Sequence, residues 1–377
     1  MKITILGPAH PYRGGLATIM ERLAREYSDR GDEVTIRTFT LQYPSFLFPG
    51  KSQTLDTQAP KGLRIIRCVN TVNPFNWLSV GLTLRRERPD LVIMKYWTPF
   101  MAPCFGTIAR LARSNGHTKV VCQIDNVEPH EHHIIDRPFN SYFLRSMDGF
   151  VYMSDQVGDE LRAYSSAPAI FSPHPMFDNF GARVSREAAA QALGLDPSVR
   201  YALFFGLIRD YKGLDILFDS WAELSRRGES EGRKLIVAGE FYTSREKYIE
   251  QIERLGIEGD VILHDHFIPD SEVPNYFSLC DFIVLPYHTA TQSGVTQIAY
   301  NFSTPMIVTN VGGLPEIVPN DRVGYTCDPN SEALNQVLSK IWSGDNLARF
   351  EENIKSERER FSWGAMCDAI LKVYRQL

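Results

Sequence analysis

The chain predicts an α/β protein built from two Rossmann-like, doubly wound parallel-sheet domains. Three observations lead there. Its 377 residues suit two domains better than one. Short apolar runs alternate along its length with segments whose apolar residues recur at helical spacing. The alternation breaks once, at 165–185, where Pro, Ser and Asn concentrate around Ser172-Pro173-His174-Pro175, and then resumes. Alternating strands and helices bury a parallel sheet between two helical layers. The expected domains are 1–178 and 179–362, with the broken stretch as the linker.

In the first half, strands are expected at 2–6, 33–39, 63–69, 90–96, 118–124 and 149–153. Helices are expected after Gly14-Gly15, at 75–88, at 102–114 and near 155–164. The helix at 75–88 ends in Arg85-Arg86-Glu87-Arg88-Pro89, which reads as a solvated helix end favoured by the dipole. Phe46–Gly50 is an apolar loop next to Lys51, suited to packing inward or to touching lipid or an acceptor. In the second half, strands are expected at 201–205, 234–238, 260–264, 282–285, 305–309 and 324–326, with helices between.

Composition narrows the function. The chain is 44% hydrophobic and 23% charged, with a net charge of -5. These are ordinary values for a globular protein and carry no nucleic-acid signature. Residues 1–180 are slightly basic and the rest acidic. The six cysteines form no CxxC pair, as expected of buried thiols in a reducing, cytoplasmic setting. No apolar run reaches the roughly 18 residues of a membrane span. The first seven residues are too short for a signal core and read as a strand. Four histidines (130, 132, 133 and 174) make no metal pattern. His132 and His133 are adjacent and cannot face the same way, and HExxH is absent. No metal is expected.

Chemistry is expected at the carboxyl ends of the strands, where parallel sheets bind ligands. After the strand at 201–205, Gly206 breaks the run, and Arg209 and Lys212 stand three apart in the loop. A guanidinium fork and an ammonium suit a diphosphate. After 282–285, Pro286–Gly294 leads into a helix, so Ser293 and Gly294 offer helix-start amides to a phosphate. Thr291, Gln292 and Gln297 supply hydroxyls and amides nearby. After 305–309, Gly313 and Glu316 face the same edge. The first half contributes Gly14 and Gly15 at a helix start, without the GxGxxG of a dinucleotide site, and the loop from Asp125 to His133. Two such edges are expected to face one another across a cleft that holds a nucleotide sugar.

These pieces carry a family resemblance. The Gly14-Gly15 loop, the run from Gly206 through Arg209 to Lys212-Gly213, the run from Pro305 through Gly312-Gly313 to Glu316, and Phe361-Ser362-Trp363 with its last helix together resemble the GT-B glycosyltransferases of family 4, the group 1 glycosyl transferases. The resemblance covers essentially the whole chain, and the second and third pieces are its specific part. It implies retaining transfer from a nucleotide-diphosphate sugar, usually with no metal. It also implies Arg209 and Lys212 on the donor diphosphate, Gly15 approaching it, and the helix at 363–377 crossing back to the N-terminal domain. A sugar or lipid-linked acceptor in polysaccharide or glycolipid assembly is the implied setting, with peripheral membrane contact through the N-terminal domain.

Two departures stand out. The family's paired glutamates fall, counting back from Pro305, near Ala290 and Ile298, where there is no acid. The place of a family histidine is taken by Asp125, with His130 a few residues on, and either is expected to meet the sugar. A sugar-nucleotide epimerase on the same fold and a non-catalytic nucleotide-sugar-binding subunit remain as alternatives. A phosphorylase of the glycogen type would need a pyridoxal lysine and a longer chain.

Overall fold

A computed structural model of the chain describes residues 1–12, 14–44, 53–54, 58–127, 136–290 and 293–377. The apolar loop at 46–50, His130, Thr291 and Gln292 lie outside the described residues. The chain divides into two compact units, Met1–His174 with Ser362–Leu377, and Pro175–Phe361. The division falls inside the Pro-rich stretch.

The first unit runs β1 (Lys2–Leu6), α1 (Gly15–Asp29), β2 (Glu33–Leu41), β3 (Arg64–Asn70), α2 (Pro74–Glu87), β4 (Leu91–Tyr96), α3 (Ala102–Arg113), β5 (Lys119–Ile124), α4 (Asp136–Leu144), β6 (Gly149–Tyr152), α5 (Asp155–Arg162) and β7 (Ala169–Phe171). Its seven strands lie in the order β3-β2-β1-β4-β5-β6-β7, every neighbouring pair parallel. The strand β7 corrects the reading of 165–185 as linker throughout. Ala169–Phe171 pairs with β6, and the Phe150 amide donates to the Pro168 carbonyl. Three residues at a sheet edge carry no measurable periodicity, so the pairing is decided by the sheet and not by local pattern. The helix α4 was also unforeseen. Its Pro138 sits in the first turn, where a missing amide costs nothing.

The second unit runs α6 (Arg186–Leu193), β8 (Arg200–Phe205), α7 (Leu214–Arg226), β9 (Arg233–Ala238), α8 (Glu246–Leu255), β10 (Val261–His264), α9 (Val273–Leu279), β11 (Phe282–Leu285), α10 (Gly294–Phe302), β12 (Met306–Thr309), α11 (Leu314–Ile317), β13 (Gly324–Cys327), α12 (Ser331–Ile341) and α13 (Asn346–Glu357). Its order is β10-β9-β8-β11-β12-β13. Side chains of β8 alternate between the two faces of this sheet. Tyr201, Leu203 and Phe205 enter one core, and Ala202 and Phe204 the other. This is the period of two that a strand buried on both faces requires.

The last helix, α14 (Trp363–Tyr374), is capped by Ser362 and packs in the first unit. The Tyr27 hydroxyl donates to the Cys367 carbonyl at 3.3 Å, and Arg30 reaches Asp368 at 2.6 Å. Gly149 has no room for a side chain, because a Cβ there would come 2.3 Å from Val373 Cγ1. The crossing of the last helix to the N-terminal unit agrees with the expectation.

Both sheets have a topological switch. In the first it lies between β1 and β4, in the second between β8 and β11. At such a point the loops leave the sheet in opposite directions, and a crevice opens at the carboxyl ends of the strands. The loops after β8 and β11 are those that carry the predicted cations and helix-start amides.

Candidate functional site

In the second unit the site is built from three loops knitted together. After β8, Gly206 turns with φ 98°. The chain then makes a 3-10 turn at Asp210–Lys212, ends it at Gly213 with φ 67°, and enters α7. Gly213 is fixed by close approach, since a Cβ there would lie 1.9 Å from the Pro286 carbonyl oxygen. The His288 amide donates to the Tyr211 carbonyl at 2.8 Å, tying the β8 loop to the β11 loop. The Thr309 hydroxyl at the end of β12 donates to the Tyr287 carbonyl at 2.6 Å.

Lys212 is drawn inward and only 8% exposed. Its ammonium lies 5.7 Å from the centre of the Tyr287 ring, and among the described residues no carboxylate pairs with it. Burial, with the nearby Arg209 charge, pulls its pKa down to about 8. Burial disfavours a charged group unless an opposite charge arrives. Arg209 is exposed, its guanidinium 5.4 Å from the Tyr242 ring. Of the two predicted cations, one is thus buried and one lies at the surface.

Ser293 caps α10, its hydroxyl accepting from the Val295 amide at 3.3 Å and lying 3.1 Å from the Tyr287 hydroxyl. Gly294 follows, exposed at the first helical position, where backbone amides lack helical partners and the dipole favours anions. A Cβ on Gly206 would lie 3.3 Å from Lys212 Nζ and 3.5 Å from Val295 Cγ2. The ammonium and the first turn of α10 therefore flank the same glycine. An ammonium, a glycine floor and a capped helix start form an anion cradle.

Gln297, one turn into α10, is buried, and neither side-chain amide atom has a hydrogen-bond partner among the described residues. Gly313 is buried at the start of the four-residue helix α11, and Glu316 is exposed within it. A concavity of about 840 Å³ beside these loops contains Asp210, Asp215 and Asp219 but not Arg209, Lys212 or Ser293. Its three aspartates are already engaged, Asp210 by Thr243 and Lys247, Asp215 by His288 and Asp219 by Gln251.

In the first unit, Gly14 and Gly15 are exposed at the start of α1, with open space where either Cβ would stand. Asp125 follows β5, and its carboxylate is held by Lys95 at 2.5 Å. Lys95 is wholly buried at the end of β4, against the first loop, where a Cβ on Gly7 would meet Lys95 Cβ at 3.3 Å. Sequence reasoning missed Lys95 and Tyr287. Lys95 left a signal: it is the one charge in the otherwise apolar run Leu91–Tyr96. Tyr287 left none, because an aromatic residue after a strand is unremarkable.

Residues 185–357 match the family model for group 1 glycosyl transferases, and residues 14–171 match that for the glycosyl transferase 4-like domain. The chain belongs to the group 1 glycosyltransferases. Within this family, it is 31% identical over 199 residues to a D-inositol 3-phosphate glycosyltransferase of Segniliparus rotundus, covering 51% of this chain and 44% of that protein. The chain spans about half the length of the first curated relatives it matches, with 56% covered in two more proteins of that name. The fold of the chain is similar to that of Anabaena HepE, solved in complex with UDP (TM-score 0.72, 17% identity, 100% of both chains). It is also similar to that of sucrose-phosphate synthase from Thermosynechococcus elongatus (TM-score 0.71, 17% identity, 100% of this chain and 99% of that one). The two parallel sheets are thus those of a GT-B glycosyltransferase.

Proposed function

We propose that this chain transfers a sugar, with retention of configuration, from a nucleotide-diphosphate sugar to an acceptor hydroxyl, with no metal on the diphosphate. The observation that carries the reading is Lys212, a buried ammonium without a carboxylate partner among the described residues, beside Gly206 and the capped start of α10. Negative charge builds on the diphosphate as the bond from the anomeric carbon to its oxygen breaks. A cation and amides already in place stabilise that charge without reorganising. Arg209, exposed and not paired with a carboxylate among the described residues, adds a planar fork on the solvent side. Ser293, Gly294 and Gln297 line the sugar-nucleotide side, and Asp125, kept beside Lys95, is the carboxylate proposed for the sugar. Complexes of HepE with UDP and with UDP-glucose make uridine nucleotides the first donors to test. A sugar or lipid-linked acceptor in polysaccharide or glycolipid assembly is part of the same proposal.

The absence of an acid at 290 and 298, together with the unpartnered Gln297 amide, favours a second reading, a nucleotide-sugar-binding subunit without turnover. One experiment separates the two. The protein is screened against nucleotide sugars by melting temperature, since a ligand bound only by the folded state raises it. Release of nucleoside diphosphate is then followed with the stabilising donor and a set of sugar and lipid-linked acceptors. Stabilisation with release supports transfer. Stabilisation without release from any acceptor supports the binding subunit, and no stabilisation by any nucleotide sugar overturns both.

A further inference from the structure

We propose that the concavity between the β8 loop and the helices α7 and α8 is a second carbohydrate site, which holds a neutral oligosaccharide apart from the anion cradle. Its volume of about 840 Å³ falls within the roughly 300–1,000 Å³ of clefts that hold ligands. Tyr211 supplies an apolar surface there. It is 43% exposed, yet it is held in place. Its ring lies 6.0 Å from the Tyr287 ring at 82°, and its carbonyl accepts from the His288 amide. An aromatic ring fixed in this way offers contact to the C–H groups of a sugar without first having to be ordered.

Around Tyr211, acceptors and donors stand in pairs. Asp210 meets Lys247, Asp215 meets His288 Nε2 at 3.1 Å, and Asp219 accepts from Gln251 at 3.0 Å. Each of these contacts falls on Oδ1. The second oxygen of each aspartate bears no hydrogen bond among the described residues. The pairing therefore orients three carboxylates and leaves one oxygen of each to a ligand. A sugar hydroxyl both donates and accepts, so neighbouring hydroxyls match a wall where acceptor and donor stand side by side.

Charge argues against the other classes of ligand. The three aspartates with Glu250 repel a phosphate or a nucleotide, and Lys247 and Arg254 in the same lining repel a polyamine. Among the described residues no three acids, histidines or cysteines converge as metal ligands. A neutral polyol is the class that both signs accept. Arg209, Lys212 and Ser293 do not line this concavity, so a sugar chain bound in it is held independently of the donor.

The test is calorimetric titration of the full chain with neutral tetrasaccharides of glucose, mannose, galactose and N-acetylglucosamine. Spermine and tetragalacturonate serve as cationic and anionic probes. At least one neutral tetrasaccharide binds, with a Kd of about 0.1–1 mM, and neither ionic probe binds as tightly. Tyr211→Ala weakens that binding about 10-fold or more, and Asp219→Ala with Gln251→Ala does the same. Melting temperatures equal to the parent's show that the variants fold. Lys212→Met, which alters the anion cradle, leaves the tetrasaccharide affinity unchanged, so this titration stands or falls separately from the nucleotide-sugar screen. The proposal is overturned if no neutral tetrasaccharide binds, if neither variant of the concavity weakens binding, or if an ionic probe binds more tightly than every tetrasaccharide. It is also overturned if Lys212→Met removes binding that Tyr211→Ala leaves intact.

Discussion

Among the described residues, each unit buries one lysine at the carboxyl edge of its sheet, and the two are handled in opposite ways. Lys95 is wholly buried and meets Asp125 at 2.5 Å. Lys212 is nearly as buried and meets no carboxylate among the described residues. Taking an ammonium out of water is costly unless a counter-charge compensates it. The first lysine has its counter-charge within the fold, so it fixes a carboxylate in place. The second lacks one, which leaves the folded protein in deficit until an anion binds. The difference separates a lysine that positions a carboxylate from one that, on the proposed function, would meet a bound anion.

Breaking the first pair has the largest expected effect on the fold. Lys95→Met leaves the Asp125 carboxylate without its partner and costs about 3 kcal/mol or more, read by denaturant unfolding. Adding Asp125→Asn to it recovers most of the loss. A single variant as stable as the parent would remove the distinction between the two lysines. At the second lysine the expected effect falls on turnover. Arg209→Ala and Lys212→Ala each lower it about 100-fold or more, as loss of one transition-state donor does. Near-parent rates in both would contradict the diphosphate assignment.

Lys212→Met sharpens the comparison, because it should raise stability while weakening, not abolishing, donor binding. The folded pKa of about 8 lies below the ordinary 10.5, so below pH 8 the buried charge costs the fold free energy. That cost declines as pH rises from about 8 to 10.5, where the unfolded chain still binds the proton and the folded one does not. Removing the charge is expected to gain about 1–3 kcal/mol at pH 7, seen as a higher melting temperature. In the parent, affinity for a nucleoside diphosphate should fall toward tenfold per pH unit once pH exceeds the pKa of Lys212 in the free protein. The Lys212→Met variant should show no such slope. The smallest expected effect is at the cap, where Ser293→Ala costs about 1 kcal/mol of stability with a comparable loss of donor affinity. A cap variant indistinguishable from the parent in both would take Ser293 out of the cradle.

Much of this arrangement was legible in the residues. Strands such as 282–285 are uniformly apolar and bounded by turn residues, so their burial follows from composition. Gly206, Arg209, Lys212 and Ser293 were legible as candidates because glycine breaks, cations and a helix cap in strand-to-helix loops have few structural uses together. Strand β7 was not, since three residues at an edge are strands only because β6 offers them a ladder. Tyr287 was not, since its role is to touch Ser293 and Lys212, which lie on different loops.

The linear chain alone determined most of the strands and helices, their alternation in two groups, and where glycines and cations punctuate them, because these depend on local sterics and hydrophobic periodicity. Only the tertiary structure decided which charges are buried and which of those find a partner. Desolvation and pairing depend on what other segments bring to within a few ångströms. The contrast between Lys95 and Lys212, on which the functional reading turns, exists only once both sheets have assembled.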